Sequence, residues 1–211
     1  MILVTGATGF IGRHLVSRLI ADGHRVRCLL AEDRQAELPW LTSPEIITGN
    51  LLDEEVLFKA ATGVNTIIHL ESGQWWGRPR ELERIEIVGT RNLIAAARAA
   101  RVGRFITVSQ LGASSSSGYT LLRIKGLVEE QVRSSGLAYT IIRSGVVFGE
   151  DDAFVNHIAM MLRANPVFFL MPGRGEVVLH PIHIDDLVEA IVRSLSLIDT
   201  IDATLDIGGP E

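Results

Sequence analysis

Three glycines spaced three apart, Gly6, Gly9 and Gly12, are the residues whose type and order point most directly to chemistry. They lie in Val4-Thr5-Gly6-Ala7-Thr8-Gly9-Phe10-Ile11-Gly12. The apolar run at residues 1–4 before them reads as a buried strand. After them Ile11, Leu15, Val16, Leu19 and Ile20 recur at helical spacing. Strand, glycine turn and helix is the setting in which such a pattern seats a phosphate. Gly6 permits the tight turn, Gly9 lets the backbone approach a pyrophosphate, and Gly12 lets the helix lie close to the strand. The helix then aims its free amides and positive dipole end at the anion. The spacing is Gly-x-x-Gly-x-x-Gly, not Gly-x-Gly-x-x-Gly.

Other reactive side chains are less organised. His180 and His183 stand three apart, but Pro181 between them and the absence of an acidic or cysteine third ligand at suitable spacing argue against a metal. Asp185 and Asp186 read as caps of a following helix rather than as paired acids. Ser109 ends an apolar run without the Gly-x-Ser-x-Gly elbow of a hydrolase. His69 reads as a packed strand residue, and Cys28 as a buried thiol. Trp75 and Trp76 are adjacent in a loop bounded by Gly73 and Gly77, so at least one is a candidate for lining a pocket or an interface.

The elements that must position these groups alternate. Strands are expected at residues 25–30, 46–47, 65–70, 105–109 and 139–142. Helices are expected at about residues 53–62, 80–100 and 121–134, the first with Asp53 as its N-cap and Gly63 as its stop. Gly89 is expected to allow close packing of the long helix. Residues 112–118, rich in serine, read as a flexible, linker-like loop. Repeated strand–helix units require a mostly parallel sheet with helices on both faces, and ligands of such sheets sit at the carboxyl ends of the strands. Beyond residue 150 the pattern changes. An amphipathic helix is expected at 152–163, with Phe154, Ile158, Met161 and Leu162 on its apolar side. Short strands follow at 177–179 and 204–207, with a helix at 187–197 between them.

Composition narrows the classes of function. The chain has 211 residues, 47% hydrophobic and 21% charged, with a net charge of −5. Its basic residues are scattered, which argues against nucleic-acid binding. A single cysteine excludes a disulfide framework within the chain. No apolar stretch reaches membrane-spanning length, and the first residues do not form a secretion signal, so a cytoplasmic protein is expected.

Taken together, these segments resemble the extended and atypical short-chain dehydrogenase/reductase superfamily. The likeness runs through residues 5–12, Gly89-Thr90-Arg91-Asn92-Leu93, residues 104–109, Tyr139-Thr140-Ile141-Ile142-Arg143, Val147-Phe148-Gly149, Ile182-His183-Ile184-Asp185-Asp186-Leu187 and Gly208-Gly209-Pro210-Glu211. It is greatest to the NAD-dependent epimerase/dehydratase-like branch containing NmrA-like proteins and the nucleotide-binding accessory subunit of respiratory complex I. The resemblance implies a doubly wound, mostly parallel Rossmann sheet over residues 1–150. Residues 151–211 would be partly a small, incomplete substrate lobe and partly a return to that sheet. It implies NAD or NADP held by Gly6, Thr8, Gly9, Phe10, Ile11, Gly12, Asn50, Leu51, Leu70, Glu71, Lys125 and Ser144. In an enzyme of this kind Ser109 would orient a substrate oxygen, Lys125 would hold the nicotinamide ribose, and Tyr119, or a water, would relay the proton. A small-molecule substrate and a homodimer through the helices at 80–100 and 121–134 are implied as well.

The chain departs from the family pattern at four positions. The family's Tyr-x-x-x-Lys places its tyrosine at residue 121, where this chain has Leu121. Tyr119 lies about 240° around a helix from Lys125, so it can act only if it precedes the helix. Glu86 stands for a frequent asparagine, Asn50 for an aspartate near the adenine, and Ala31 for an arginine that selects NADP. The following Glu32, Asp33 and Arg34 carry both signs and leave NAD and NADP open. Relatives usually continue past Gly-Gly-Pro-Glu, so an open substrate site, or one completed by another subunit, is expected. A dinucleotide-binding protein without turnover is the alternative to an oxidoreductase or nucleotide-sugar epimerase/dehydratase.

Overall fold

The computed structural model describes residues 1–31, 44–70, 72, 79–164 and 179–209. Glu32, Asp33, Arg34, Glu71, Trp75, Trp76, Pro210 and Glu211 lie outside the described residues, as do the first two residues of the strand expected at 177–179. Leu179 is in no strand.

Nine strands and seven α-helices alternate among the described residues. They are β1 (Ile2–Thr5), α1 (Phe10–Ala21), β2 (Val26–Leu30), β3 (Glu45–Thr48), α2 (Glu54–Ala61), β4 (Thr66–His69), α3 (Pro79–Glu83), α4 (Thr90–Ala99), β5 (Arg104–Gln110), α5 (Thr120–Arg133), β6 (Tyr139–Ser144), β7 (Val147–Phe148), α6 (Phe154–Ala164), β8 (Ile182–His183), α7 (Ile184–Ser194) and β9 (Ala203–Ile207). Seven of the strands form one sheet in the order β3-β2-β1-β4-β5-β6-β9, every pair parallel. The order reverses between β1 and β4, so a crevice opens at their carboxyl ends. This is the doubly wound Rossmann arrangement.

Both faces of the sheet are covered, which is why its strands are apolar on both sides. On one face Val4, Cys28, Ile68, Ile106 and Ile142 pack against Leu15, Val16 and Leu19 of α1 and Leu187 and Ile191 of α7. On the other, Leu3, Ile67, Phe105 and Ile141 pack against Leu57 of α2, Leu93 and Ala97 of α4 and Val132 of α5. Two elements from beyond residue 150 therefore belong to the main sheet and its core, α7 and β9. Strands β7 and β8 form a separate two-stranded parallel pair.

Several local expectations change. The long helix expected at 80–100 is α3, a π-helical stretch from Arg84 to Gly89, and α4 in succession. A Cβ on Gly89 would lie 2.8 Å from the Leu51 Cβ, so the glycine does permit close packing. Asp53 caps α2 as expected, accepting from the Val56 amide at 3.1 Å. Helix α7 is capped instead by His183, whose ring accepts from the Asp185 amide at 3.3 Å. Asp185 and Asp186 occupy its first turn, where their charge suits the dipole.

The loop expected to behave as a flexible linker is pinned. The Ser114 amide donates to the Leu122 carbonyl at 3.1 Å and the Ser117 amide to the Ser114 carbonyl at 2.9 Å. A Cβ on Gly126 would lie 2.2 Å from the Ser114 carbonyl carbon. The serine-rich composition signalled mobility, but tertiary packing on α5 overrides it. Helix α6 forms near its expected place, yet Phe154, Met161 and Leu162 on its apolar side stand 44%, 49% and 46% exposed.

Candidate functional site

The glycine turn joins β1 to α1 at the reversal point. Gly6 has φ +73°, the left-handed region that favours glycine, so the chain can turn sharply after Thr5. Gly12 lies where helix and turn meet. A Cβ there would lie 2.1 Å from the Gly6 carbonyl oxygen and 2.7 Å from the Ala7 Cα. Gly9 is the N-cap of α1, and no side chain caps that helix. Its first turn contains no acidic residue, so nothing in that turn repels an anion. The first amides of a helix lack intrahelical partners, and here they face the crevice.

The crevice itself is a cleft of about 490 Å³ lined by Gly6, Ala7, Thr8, Gly9, Phe10, Ile11, Gly12, Leu29, Leu30, Ala31, Leu70 and Ser72. It has the shape a dinucleotide needs: an uncapped helix end for the pyrophosphate, and the tips of β2 and β4 on either side. Gly9 lines the same cleft without a side chain, and a Cβ added there would meet only the Gly6 carbonyl oxygen, at 3.3 Å. A second hollow of about 300 Å³ lies between Met1, His24, Arg25 and Glu45. It sits at the amino ends of β1, β2 and β3, away from the ligand edge.

Behind the turn, His69 ties three elements together. Its Nδ1 lies 2.7 Å from the Thr5 hydroxyl and its Nε2 lies 2.9 Å from the Thr90 hydroxyl. Burial pushes its pKa down to about 4, so the ring is neutral near pH 7. It is the packed strand residue that was expected, joining β1 and β4 to α4.

Seven of the expected cofactor residues line the cleft: Gly6, Thr8, Gly9, Phe10, Ile11, Gly12 and Leu70. Asn50, Leu51, Lys125 and Ser144 do not. The Asn50 side chain instead accepts from the Leu52 amide at 2.8 Å, holding its own turn. Leu51 is buried against Gly89, and the Leu51 carbonyl accepts from the Asn92 side chain at 3.3 Å. Ser144 is buried and donates to the Ser109 carbonyl at 3.4 Å. Lys125 reaches the edge of the cleft through one contact. Its Nζ lies 3.4 Å from the hydroxyl of Ser72, which lines it. The same ammonium lies 3.0 Å from each carboxylate oxygen of Glu86, and Ser72 also donates to Glu86.

Ser109 is not among the residues that line the cleft. Its hydroxyl is buried on the face of β5 toward α5 and donates to Glu129 Oε1 at 2.6 Å. Glu129 is also held by Arg143 through Nε at 2.9 Å and a terminal nitrogen at 2.7 Å, and by Arg133 at 2.7 Å. Burial pushes this carboxyl up, but the hydrogen bonds from Arg143, Ser109 and Arg133 outweigh it and hold it below the usual carboxylate range. The proton that would have oriented a substrate oxygen is thus committed to a buried clamp between β5, α5 and β6. Tyr119 does precede α5, as its N-cap residue, and its side chain is 77% exposed. Leu121 is in the first turn of α5.

Glu86, Ser72, Glu129, Ala7, Leu29 and Leu30 escaped sequence reasoning as parts of the site or its support. Spacing offered one usable signal: Glu129 stands four residues from both Lys125 and Arg133, hence on one side of a helix. Leu29 and Leu30 could have been placed because they end the strand beside the glycine turn. Glu86 showed only as a departure from the family asparagine, and nothing local distinguishes Ser72.

A family model described as NAD(P)H-binding matches residues 6–163. The photosystem II assembly factor Ycf39 of Cyanophora paradoxa is 36% identical over 67% of this chain and 44% of its own length. Mouse mitochondrial NADH dehydrogenase [ubiquinone] 1 alpha subcomplex subunit 9 is 31% identical over 98% of this chain and 56% of its own length. The chain thus spans about half the length of these curated relatives. Among solved structures, MoeE5 in complex with UDP-glucose and NAD superposes with a TM-score of 0.82 at 25% identity, covering 98% of this chain and 75% of that one. A glycine turn at the reversal of an all-parallel sheet and a family match running from Gly6 through α6 lead to one assignment. The chain belongs to the NAD(P)H-binding family.

Proposed function

We propose that the protein uses NAD(H) or NADP(H), bound along the cleft from Ala31 to Ser72, in an oxidoreductase or nucleotide-sugar epimerase/dehydratase-like reaction on a small polar molecule. The observation that carries this reading is the uncapped end of α1 opening, past Gly9, into the cleft at the strand reversal. When bound, the nicotinamide supplies or accepts hydride. The chain's part is to seat the pyrophosphate on the amides after Gly9, to hold the far ribose beside Lys125, and to move a proton. Tyr119, exposed at the mouth of α5, is the phenol available for that proton. Glu71 remains part of the proposed cofactor set, by its place after Leu70. The UDP-glucose bound by MoeE5 supports a polar substrate of similar class. The substrate lobe would be built from residues 151–211 outside α7 and β9, with β8 joining it to β7 just before residue 151. A homodimer through the outer sides of α4 and α5 belongs to the same reading. So does a cytoplasmic setting, supported by the single buried thiol of Cys28 and by the lack of a described helix long and apolar enough to cross a membrane.

A ligand that binds only the folded state raises its thermal midpoint. NAD(H) or NADP(H) at millimolar concentration should do so, and titrating both names the preferred cofactor. Gly9→Asp should abolish the rise by placing a negative charge where the pyrophosphate comes. No rise with any of the four nucleotides would overturn the reading.

A second reading, nucleotide binding without turnover, is favoured by two observations. Leu121 puts a hydrocarbon at the family's tyrosine position, and Ser109 is committed to Glu129. Loss of nucleotide absorbance against a panel of carbonyl substrates separates the two. Activity that Tyr119→Phe removes supports the first, and absence of all turnover supports the second.

A further inference from the structure

Glu86 is the member of the Ser72–Lys125–Glu86 cluster that neither the glycine turn nor the family's chemistry accounts for. It sits in the π-helical stretch between α3 and α4, a geometry that often marks functional positions. Its side chain is 1% exposed, that of Lys125 is 14% exposed, and the ammonium contacts both carboxylate oxygens at 3.0 Å. The pair therefore presents almost no net charge to the cleft, although a lysine stands at its edge.

The topology says which part of a dinucleotide would meet this pair. With the pyrophosphate at the α1 amides, the adenosine half lies toward the tip of β2, at Leu30 and Ala31. The nicotinamide half must then run the other way, over β4 and toward α5, where Ser72 lines the cleft and touches Lys125. The oxidised nicotinamide ring carries a positive charge and the reduced ring carries none. An uncompensated ammonium beside it would disfavour the oxidised form. We infer that Glu86, by neutralising Lys125 at the nicotinamide end of the cleft, sets the balance between oxidised and reduced cofactor binding. This rests on the dinucleotide reading of the cleft.

Among the described residues, the neighbouring charges are neutral or compensated. His69, behind it between Thr5 and Thr90, is neutral near pH 7. Arg123 and Glu83 compensate each other at 3.1 Å on the exposed side. An uncompensated unit charge lining the cleft near the ring should change a dissociation constant by roughly fivefold or more.

The test measures dissociation constants for the oxidised and reduced forms of whichever cofactor binds, NAD+ with NADH or NADP+ with NADPH. Glu86→Gln keeps the shape and frees the ammonium, so the oxidised-to-reduced ratio of dissociation constants should rise at least fivefold. Lys125→Gln leaves the carboxylate alone and should move the ratio the opposite way. The double variant removes both charges and should return it to within about twofold of the original. That return separates charge from packing, because a merely structural defect would not be repaired by a second change. Should either single variant fail to fold, the other still gives the sign. If the unaltered protein binds the cofactor but the ratio stays within twofold in the variants that fold, the inference about Glu86 fails alone. If the unaltered protein binds neither cofactor, the dinucleotide reading fails and takes this inference with it.

Discussion

Two neighbouring glycines of the same turn should respond to the same substitution in different ways. An alanine Cβ at position 12 would lie 2.1 Å from the Gly6 oxygen, 2.7 Å from the Ala7 Cα and 2.8 Å from the Ala7 carbonyl carbon. Ordinary contact between such atoms is about 3.5 Å, so the overlap is more than about 1 Å at the Gly6 oxygen and somewhat less at the two Ala7 atoms. All three obstructing atoms are backbone, and no side chain can swing away. Helix α1 would have to lift off the turn, straining a helix whose Leu15, Val16 and Leu19 are fully buried. Overpacking of this kind costs about 1–3 kcal/mol and occasionally more. At roughly 2–4 °C per kcal/mol for a chain of this size, Gly12→Ala should lower the melting midpoint by about 2–12 °C.

At position 9 the same Cβ meets only the Gly6 oxygen, at 3.3 Å, and φ is −70°. The free protein can accommodate it with a shift of a few tenths of an ångström. A pyrophosphate pressed against that backbone cannot. Gly9→Ala should therefore melt within about 2 °C of the original while losing most of the stabilisation by nucleotide. Melting curves of both variants, with and without saturating cofactor, decide the matter. Undiminished nucleotide stabilisation in Gly9→Ala would refute the placement of the pyrophosphate, and an unchanged midpoint in Gly12→Ala would refute the close approach.

Removing Glu129 should be costly. Glu129→Ala leaves Arg143 and Ser109 without their buried acceptor and should destabilise by about 3–5 kcal/mol, read by chemical denaturation. Because the folded pKa of Glu129 lies below its unfolded value, its stabilisation is present above about pH 4 and is lost as pH falls through the folded value; Glu129→Gln should flatten that acid limb. His69 acts earlier on the same titration. Its folded pKa of about 4 lies below the ordinary value near 6.5, so the unfolded chain takes up the proton first and stability should fall between about pH 6.5 and 4, by on the order of 3 kcal/mol. A flat denaturation free energy across that window would contradict its burial as a neutral ring. Gly126→Ala should push the 112–117 loop off α5, lowering the midpoint and raising amide exchange at Ser114 and Ser117.

What is legible in the sequence is whatever repeats along the chain. Alternating apolar runs and helical stripes disclosed the parallel sheet, because strands buried on both faces must be apolar throughout. Gly6, Gly9 and Gly12 were legible because turn, approach and packing each demand a residue without a side chain. Ser109 was legible as the end of a strand, but that place says nothing about which face it takes. Only the fold brings Glu129 under it. The serines at 114–117 were misread, since composition suggested freedom where Gly126 lets the loop lie against a helix. Glu86 was visible as a departure from the family asparagine, yet its meaning depends on a lysine in another helix.

Strand β9 pairs with β6 from Thr140↔Ala203 to Ser144↔Ile207. Just before it, Thr200 accepts from Arg104 at 2.6 Å while its carbonyl accepts from Thr140 at 2.7 Å. The far edge of the sheet therefore waits for residues 198–207 to leave the ribosome. Until then β6 presents an open row of backbone donors and acceptors, the surface on which nascent chains associate wrongly. A stalled or truncated chain ending before Thr200 would expose that edge with its cofactor turn already made, so early loading of nucleotide could not protect it from aggregation.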